Sequence, residues 1–309
     1  MTTAYFRHDD CFEHLTPPGH PEQVARLTAV AQALEGFDGL DRLDAPLCAE
    51  ADILLCHPQE YLTRVRNAVP ADGFASLDAD THLSPGSFQA ACRGVGANVA
   101  AVDRVLSGAA SNAFIGCRPP GHHAETARAM GFCLFGNAAI AAKHALQRHG
   151  LTRVAIVDFD VHHGNGTQDL LWDDARTLFC SSHQMPLYPG SGAANERGAH
   201  GNVLNVPLQP GSGSNEMRQA YQDQIFPALD TFEPELILIS AGFDAHQADP
   251  LANLNWTTDD FTWITEQICD LADAYCAGRV VSTLEGGYDL TALGQSVAAH
   301  VNVLMERGR

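Results

Sequence analysis

The sequence predicts an α/β fold, a parallel sheet covered by helices on both faces, and three observations carry that prediction. Short β-branched apolar runs alternate with amphipathic helical patterns through much of the 309 residues, the signature of βα units wound into a parallel sheet. The run Val154 to Val157 is apolar throughout, as suits a strand buried on both faces rather than one with a wet side. Several such runs end directly in ionisable residues, and ligand sites in open α/β sheets lie at the carboxyl ends of strands.

In chain order, a segment containing Pro17-Pro18-Gly19-His20-Pro21-Glu22 leads into a helical pattern through Val24, Leu27, Val30 and Leu34, and a second helix follows near Tyr61 to Val69. Ser84-Pro85-Gly86 supplies start chemistry for a long Ala/Val-rich helix to Leu106, and Gly108 stops it. Next come a strand from Ala113 to Cys117, a helix from Asn137 to His149, and strands from Val154 to Val161, Thr177 to Ser181 and Asn202 to Pro207. A helix from Asn215 to Leu229 precedes a strand from Leu236 to Ser240, a helix from Thr258 to Cys276 precedes a strand from Val280 to Leu284, and a last helix covers Leu293 to Met305. There is no linker-like tract and no internal repeat, so one domain over residues 1–309 is expected, and 45% hydrophobic content suffices for a large core.

Composition narrows the function. A formal net charge of −19 disfavours direct contact with a nucleic-acid backbone and favours approach by cationic substrates. No stretch approaches the roughly 18 uninterrupted apolar residues of a membrane span, and Arg7, His8, Asp9 and Asp10 interrupt any signal-peptide core. Nine cysteines, an odd number with no C-x-x-C pair, imply neither a disulfide framework nor a thiolate zinc site. A soluble cytoplasmic protein is expected, without a membrane partner; a homo-oligomer is left open.

The chemistry concentrates at four strand ends. Asp158-Phe159-Asp160-Val161-His162-His163-Gly164-Asn165-Gly166 directly follows an apolar run. Strand alternation would set Asp158, Asp160 and His162 on one face, able to converge on a cation, with Phe159 and Val161 on the packing side. A bare Asp-x-Asp would read as a solvated turn; the histidines and glycines that follow argue for a metal site. Asp244, after the strand ending at Ser240, offers a second carboxylate to Asp160 and His162. Two carboxylates, an imidazole and an open position describe a hydrolytic metal site that polarises a carbonyl and acidifies water, suited to zinc, iron(II) or cobalt. His163, His183 and His246 read as supporting or structural residues. Arg118-Pro119-Pro120-Gly121-His122-His123-Ala124 puts two imidazoles on a rigid turn, where groups titrating near neutrality can move protons. Leu284-Glu285-Gly286-Gly287-Tyr288-Asp289-Leu290 gives the backbone freedom to swing the Tyr288 phenol into a cleft as an oxyanion donor.

These motifs, in this order from about Pro18 to Leu290, resemble the histone deacetylase superfamily. Asn165 and the Leu-Glu-Gly-Gly-Tyr form point to its class II branch and to bacterial histone-deacetylase-like amidohydrolases. The resemblance implies the arginase-like α/β fold, with a parallel sheet of about eight strands. It implies Asp160, His162 and Asp244 as zinc ligands, Tyr288 as the residue polarising the scissile carbonyl, His123 as general base and acid, and His122 as an electrostatic partner held by Asp158. Asn165 would orient His123 where some relatives use Asp, lowering its proton affinity. Gly131, Phe132, Tyr188 and Leu251 match positions lining an acyl-lysine tunnel, Tyr188 departing from a commoner Phe. Asp80 matches a rim acid that grips substrate amides, and Arg26 a buried arginine near the inner end. A structural potassium would be held by the carbonyls of Asp158, Asp160 and His162 with the Ser181 hydroxyl.

The function expected is metal-dependent removal of acetyl groups from N-acetyl-lysine side chains, the substrate being an acetylated protein, peptide or small amine. Leu251 is apolar where polyamine-selective relatives place a glutamate, so acetylpolyamine hydrolysis is the alternative. An arginase-like guanidine hydrolase or a silent acyl-lysine-binding module is disfavoured by the tandem histidines and the intact Tyr288.

Overall fold

The computed structural model describes residues 2–308 and contains strands β1 (Thr3–Arg7), β2 (Leu40–Asp44), β3 (Ala75–Ser76), β4 (His82–Leu83), β5 (Asn112–Ile115), β6 (Val154–Asp158), β7 (Thr177–Gln184), β8 (Val203–Leu208), β9 (Leu236–Ala241) and β10 (Val280–Leu284). β3 and β4 pair as a small antiparallel ribbon. The other eight form one sheet in the order β2-β1-β5-β10-β9-β6-β7-β8, with every pairing parallel. Parallel neighbours need crossover connections; helices lie in most of them, while β7 and β8 are joined by a loop without a helix. Helix Leu290–Arg307 packs on both Ala25–Ala33 and Thr258–Cys276, and Ser87–Leu106 packs on Asn137–Arg148. Both groups reach the central strands β5 and β9, so the sheet is covered on both faces.

Burial explains the apolar strands. Every residue of β5, β6, β9 and β10 is buried. The two strands that apolar runs do not reveal, β1 and β2, lie at one side of the sheet. β2 reads Leu-Asp-Arg-Leu-Asp and is the edge strand, with only Leu40 buried, so its pattern is polar.

Two expectations are corrected. β6 ends at Asp158, not Val161. The Asp158 carboxylate accepts the Asp160 N–H at 3.1 Å, and the Asp160 carboxylate accepts the His162 N–H at 2.9 Å. These two successive Asx turns take the backbone out of the ladder. Strand alternation is therefore not what brings Asp160 and His162 together. The helix expected over 215–229 is interrupted: Ser214–Ala220 and Phe226–Phe232 are α-helical, and Tyr221–Ile225 is a π-helical turn. Pro227 has no amide hydrogen to donate, and the widened turn falls just before it.

The chain passes from β5 to β6 over two positions that β9 and β10 later fill. The four strands that end in ionisable residues are thus adjacent, and being parallel they deliver those residues to one edge of the sheet.

Candidate active site

Asp160, His162 and Asp244 are buried and each offers a ligand atom, all within 4.8 Å of one another. His162 Nδ1 lies 3.1 Å from Asp160 Oδ1 and 3.2 Å from Asp244 Oδ2. The Gly286 N–H donates to Asp160 Oδ2 at 2.8 Å, and the Val161 N–H donates to Asp244 Oδ1 at 2.9 Å, which fixes both carboxylates. A Cβ on Gly286 would stand 2.1 Å from Asp244 Oδ2, and one on Gly242 would stand 2.1 Å from Asp160 Oδ2. No side chain fits at either position. Two buried carboxylates this close require a positive charge. In the protein alone His162 carries it: burial opposes protonation, but the hydrogen bonds to Asp160 and Asp244 draw its pKa up to about 10. A divalent cation meets the same need, and the donor set suits one.

The tandem histidines differ in their partners. His122 Nδ1 is 3.0 Å from Asp158 Oδ2, whereas His123 Nδ1 is 2.8 Å from the neutral Asn165 Oδ1. Burial pulls the His122 pKa down, but Asp160 and Asp158 overcome it and hold it well above the ordinary imidazole value. Burial lowers the His123 pKa well below that value, and the neighbouring His122 and His162 lower it further. With ring centroids 4.0 Å apart, the pair therefore combines one cationic and one neutral imidazole. The turn carrying them is held by Glu285, whose Oε2 accepts the N–H groups of Gly121 at 2.7 Å and His122 at 3.1 Å.

Tyr288 is positioned from three sides. Asp249 Oδ2 accepts its backbone N–H at 2.7 Å, the buried Arg26 guanidinium donates to the carbonyl of Gly287 at 2.7 Å, and the same guanidinium lies 5.0 Å from the phenol ring centroid. Burial keeps the phenol pKa well above its ordinary value against the pull of Arg26, so the hydroxyl is a donor. A cavity of about 210 Å³ opens over these groups, lined by Asp80, His123, Gly131, Phe132, His162, Leu187, Tyr188, Leu251 and Tyr288. It is smaller than the roughly 300–1,000 Å³ of pockets for drug-sized ligands, a size suited to one slender side chain. The Phe132 ring meets Tyr288 edge-on at 5.9 Å, and Tyr188 meets His123 edge-on at 5.2 Å.

Every residue named from sequence for the tunnel therefore lines this cavity. Asp80 also braces its wall, accepting the Gly131 N–H at 3.1 Å, while Thr81 Oγ1 accepts that of Phe132 at 3.1 Å. Ser181 faces Asp158 in the β6–β7 register and shares a hydrogen bond with His183 Nδ1 at 2.9 Å. His163 is hydrogen-bonded to Ser191 and Gln168, and His246 Nδ1 accepts from the Ala248 N–H. Sequence reasoning assigns no role to Leu187, Asp249, Glu285 or Glu125; Glu285, the first residue after β10, carried the same strand-end signal as Asp158. A second possible donor group, Asp103 with His144 and His149, sits at the C-terminal ends of the helices that feed β5 and β6 and so lies toward the other end of the strands. There both imidazoles hydrogen-bond one carboxylate oxygen, at 2.7 and 2.6 Å.

Comparison with known proteins agrees with this geometry. A family model described as the histone deacetylase domain matches residues 20–304. The chain is 44% identical over 298 residues to an uncharacterised protein of Synechocystis, covering 94% of this chain and 96% of that one. It is 39% identical over 310 residues to a histone deacetylase-like amidohydrolase of Pseudomonas aeruginosa, covering 93% and 81%. The crystal structure of an HDA15 HD domain matches with a TM-score of 0.94 at 33% identity, over 99% of this chain and 89% of that one.

Proposed function

The chain belongs to the histone deacetylase family, and on that premise we propose that it is a metal-dependent hydrolase removing acetyl groups from N-acetyl-lysine side chains, with residues 1–309 forming one catalytic domain. The observation that carries the reading is the narrow cavity ending on a neutral imidazole, a protonated phenol and a carboxylate-imidazole donor set. A divalent cation held by Asp160, His162 and Asp244, whether zinc, iron(II) or cobalt, would supply Lewis-acid polarisation of the acyl carbonyl and acidify water beside it.

The chain's own residues do the rest. His123 directs Nδ1 at Asn165, which leaves Nε2 as the lone pair that takes a proton from the attacking water and later returns it to the departing amine. His122, made cationic by Asp160 and Asp158, keeps His123 neutral and favours the developing negative charge. Tyr288 donates its phenol hydrogen to the oxyanion. Gly131, Phe132, Tyr188 and Leu251 enclose the acyl-lysine chain, and Asp80 grips the substrate at the rim. In the same reading the carbonyls of Asp158, Asp160 and His162 with the Ser181 hydroxyl would hold a structural potassium. The setting proposed is the cytoplasm; no helix among the described residues is long and apolar enough to cross a membrane.

One observation favours a second substrate class. Asp80 lines the cavity, its N–H donates to the Asp78 carboxylate at 2.9 Å, and both carboxylates act on Tyr188. That acidic rim would also suit an acetylated polyamine. Initial rates of the zinc-reconstituted protein on an acetyl-lysine peptide and on N-acetylpolyamines separate the two. Faster turnover of the peptide supports the proposal; preference for the polyamine replaces it with the second reading, and turnover of neither contradicts both.

A further inference from the structure

We infer that Glu125 is a positioning residue that selects the tautomer of His123 through the amide of Asn165, an inference that rests on the role proposed above for His123. An imidazole serves as base at Nε2 only if its hydrogen sits on Nδ1, and the group facing Nδ1 decides this. A carboxylate facing Nδ1 accepts through either oxygen and needs no help. An amide has one accepting and one donating end, so something must tell the ends apart.

Glu125 does so. Asn165 Nδ2 donates to Glu125 Oε1 at 2.8 Å and approaches Met130 Sδ at 3.4 Å, while Oδ1 lies 2.8 Å from His123 Nδ1. A carboxylate only accepts hydrogen bonds. Turning the amide over would set its oxygen against the Glu125 oxygen and its NH2 against His123, leaving Nδ1 to accept and Nε2 blocked by a hydrogen. Glu125 itself is rigidly held. It exchanges backbone hydrogen bonds with Arg128 at 3.0 and 3.4 Å, closing a tight turn. Next to it, the Thr126 N–H and hydroxyl both donate to Asp169 Oδ2, at 2.8 and 2.7 Å. Asp169 lies one helical turn beyond Asn165 on the helix Asn165–Leu171, and the Thr167 N–H on that helix donates to the His122 carbonyl at 3.1 Å. The turn after the tandem histidines is thus fastened to the same helix that carries the amide. Glu125 is half-buried and does not line the cavity, so it acts through Asn165 rather than on substrate.

The division of labour follows. His122 faces a carboxylate and becomes cationic; His123 faces an amide and stays neutral, at the cost of needing a third residue to fix which way that amide points.

The test uses the full chain with four changes. Glu125→Gln presents both an accepting and a donating end, so it weakens the bias and lowers kcat less than a change that presents only a donor. Glu125→Ala removes the bias and lowers kcat. Glu125→Lys presents a donor, inverts the amide and lowers kcat by about 100-fold with KM little changed, the scale of losing a general base. Glu125→Lys combined with Asn165→Asp restores at least about tenfold of that loss, because a carboxylate at 165 accepts from both sides. The direct readout is the imidazole ¹⁵N spectrum, with His123 assigned by its loss in His123→Ala: Nε2 is the unprotonated nitrogen in the parent protein and Nδ1 in Glu125→Lys. A folded Glu125→Lys protein with parental kcat, or an unchanged tautomer, overturns the inference. Tautomer exchange in a protein that hydrolyses no acyl amide sustains the role of Glu125 and refutes the proposed function instead.

Discussion

Replacing Gly131 with alanine should separate catalytic geometry from stability. Gly131 has φ +55°, and a Cβ built there would stand 2.3 Å from His123 Cδ2, 2.7 Å from Cγ and 2.9 Å from Cβ. Carbon atoms in contact sit at about 3.5–4.0 Å, so the His123 ring must retreat by about 1 Å. It cannot do so freely, because Asn165 holds Nδ1 at 2.8 Å and the Tyr188 ring stands edge-on at 5.2 Å between ring centroids. A misplacement of about 1 Å in a reacting group costs about 100-fold in turnover. The left-handed backbone adds about 1–2 kcal/mol of strain for alanine, and overpacking adds about 1–3 kcal/mol. Gly73 provides the control: its φ is +62° and nothing lies within 4 Å of a built Cβ. Gly73→Ala should lower the denaturation midpoint slightly and leave kcat unchanged, whereas Gly131→Ala should lower kcat about 100-fold, more than backbone strain accounts for. Steady-state kinetics with urea melts on both variants measure this. A Gly131→Ala enzyme within about threefold of parental kcat would refute the placement of His123 as the proton-transfer group.

Asp249 accepts the N–H groups of Tyr288, Asp289 and Leu251 at 2.7, 3.4 and 3.0 Å, so it ties the phenol to the cavity wall. Asp249→Ala should lower kcat and raise KM together and cost about 1–3 kcal/mol for each donor left buried, read by steady-state kinetics and urea unfolding. Glu22 is fully buried among Arg118, Arg26 and His14; burial raises its pKa, but the Arg118 charge and its other partners hold it well below the ordinary 4.5. Because the folded pKa is depressed, the stability it adds is fully present above the unfolded value near 4.5 and is lost as pH falls through the folded pKa. Denaturant midpoints against pH should therefore fall less steeply on the acid side in Glu22→Gln, on top of about 3–5 kcal/mol lost from unpaired buried arginine. Asp244→Ala removes one of the proposed metal donors and should weaken zinc binding by about 100-fold or more, measured by competition with a chelating dye.

Much of this was legible because the site is written at strand ends. Asp158 to Asn165, Asp244 and Tyr288 each follow an apolar run in sequence, and parallel packing of β5, β10, β9 and β6 converts those separate positions into one edge. The long-range meeting of Asp160 with Gly286 could not be read locally; it depends on β10 and β6 flanking β9. Residues acting through backbone N–H groups were also hidden. Asp249 and Glu285 hold amides of Tyr288 and of Gly121 and His122, and no spacing rule links an acid to an amide more than a hundred residues away, as for Glu285. The reach of β6 was overestimated because Asp158 and Asp160 terminate the strand by Asx turns rather than extending its pleat. The turns bring Asp160 and His162 together beside Asp244, whereas Asp158, expected on the same face, is hydrogen-bonded to His122 instead. β2 is hidden for a different reason: an edge strand with alternating charges carries no apolar run.

The most direct test of the central claim, that these four strand ends form an acyl-amide hydrolase, is stoichiometric acetate release from an acetyl-lysine peptide by the zinc-reconstituted protein and by Tyr288→Phe in parallel. The phenylalanine keeps the ring against Arg26 and Phe132 and removes only the oxyanion donor. The account predicts acetate and deacetylated peptide in equal amounts from the parent, and turnover lower by about 100-fold or more in the variant. No acetate from the parent, or equal rates from the two proteins, would contradict it.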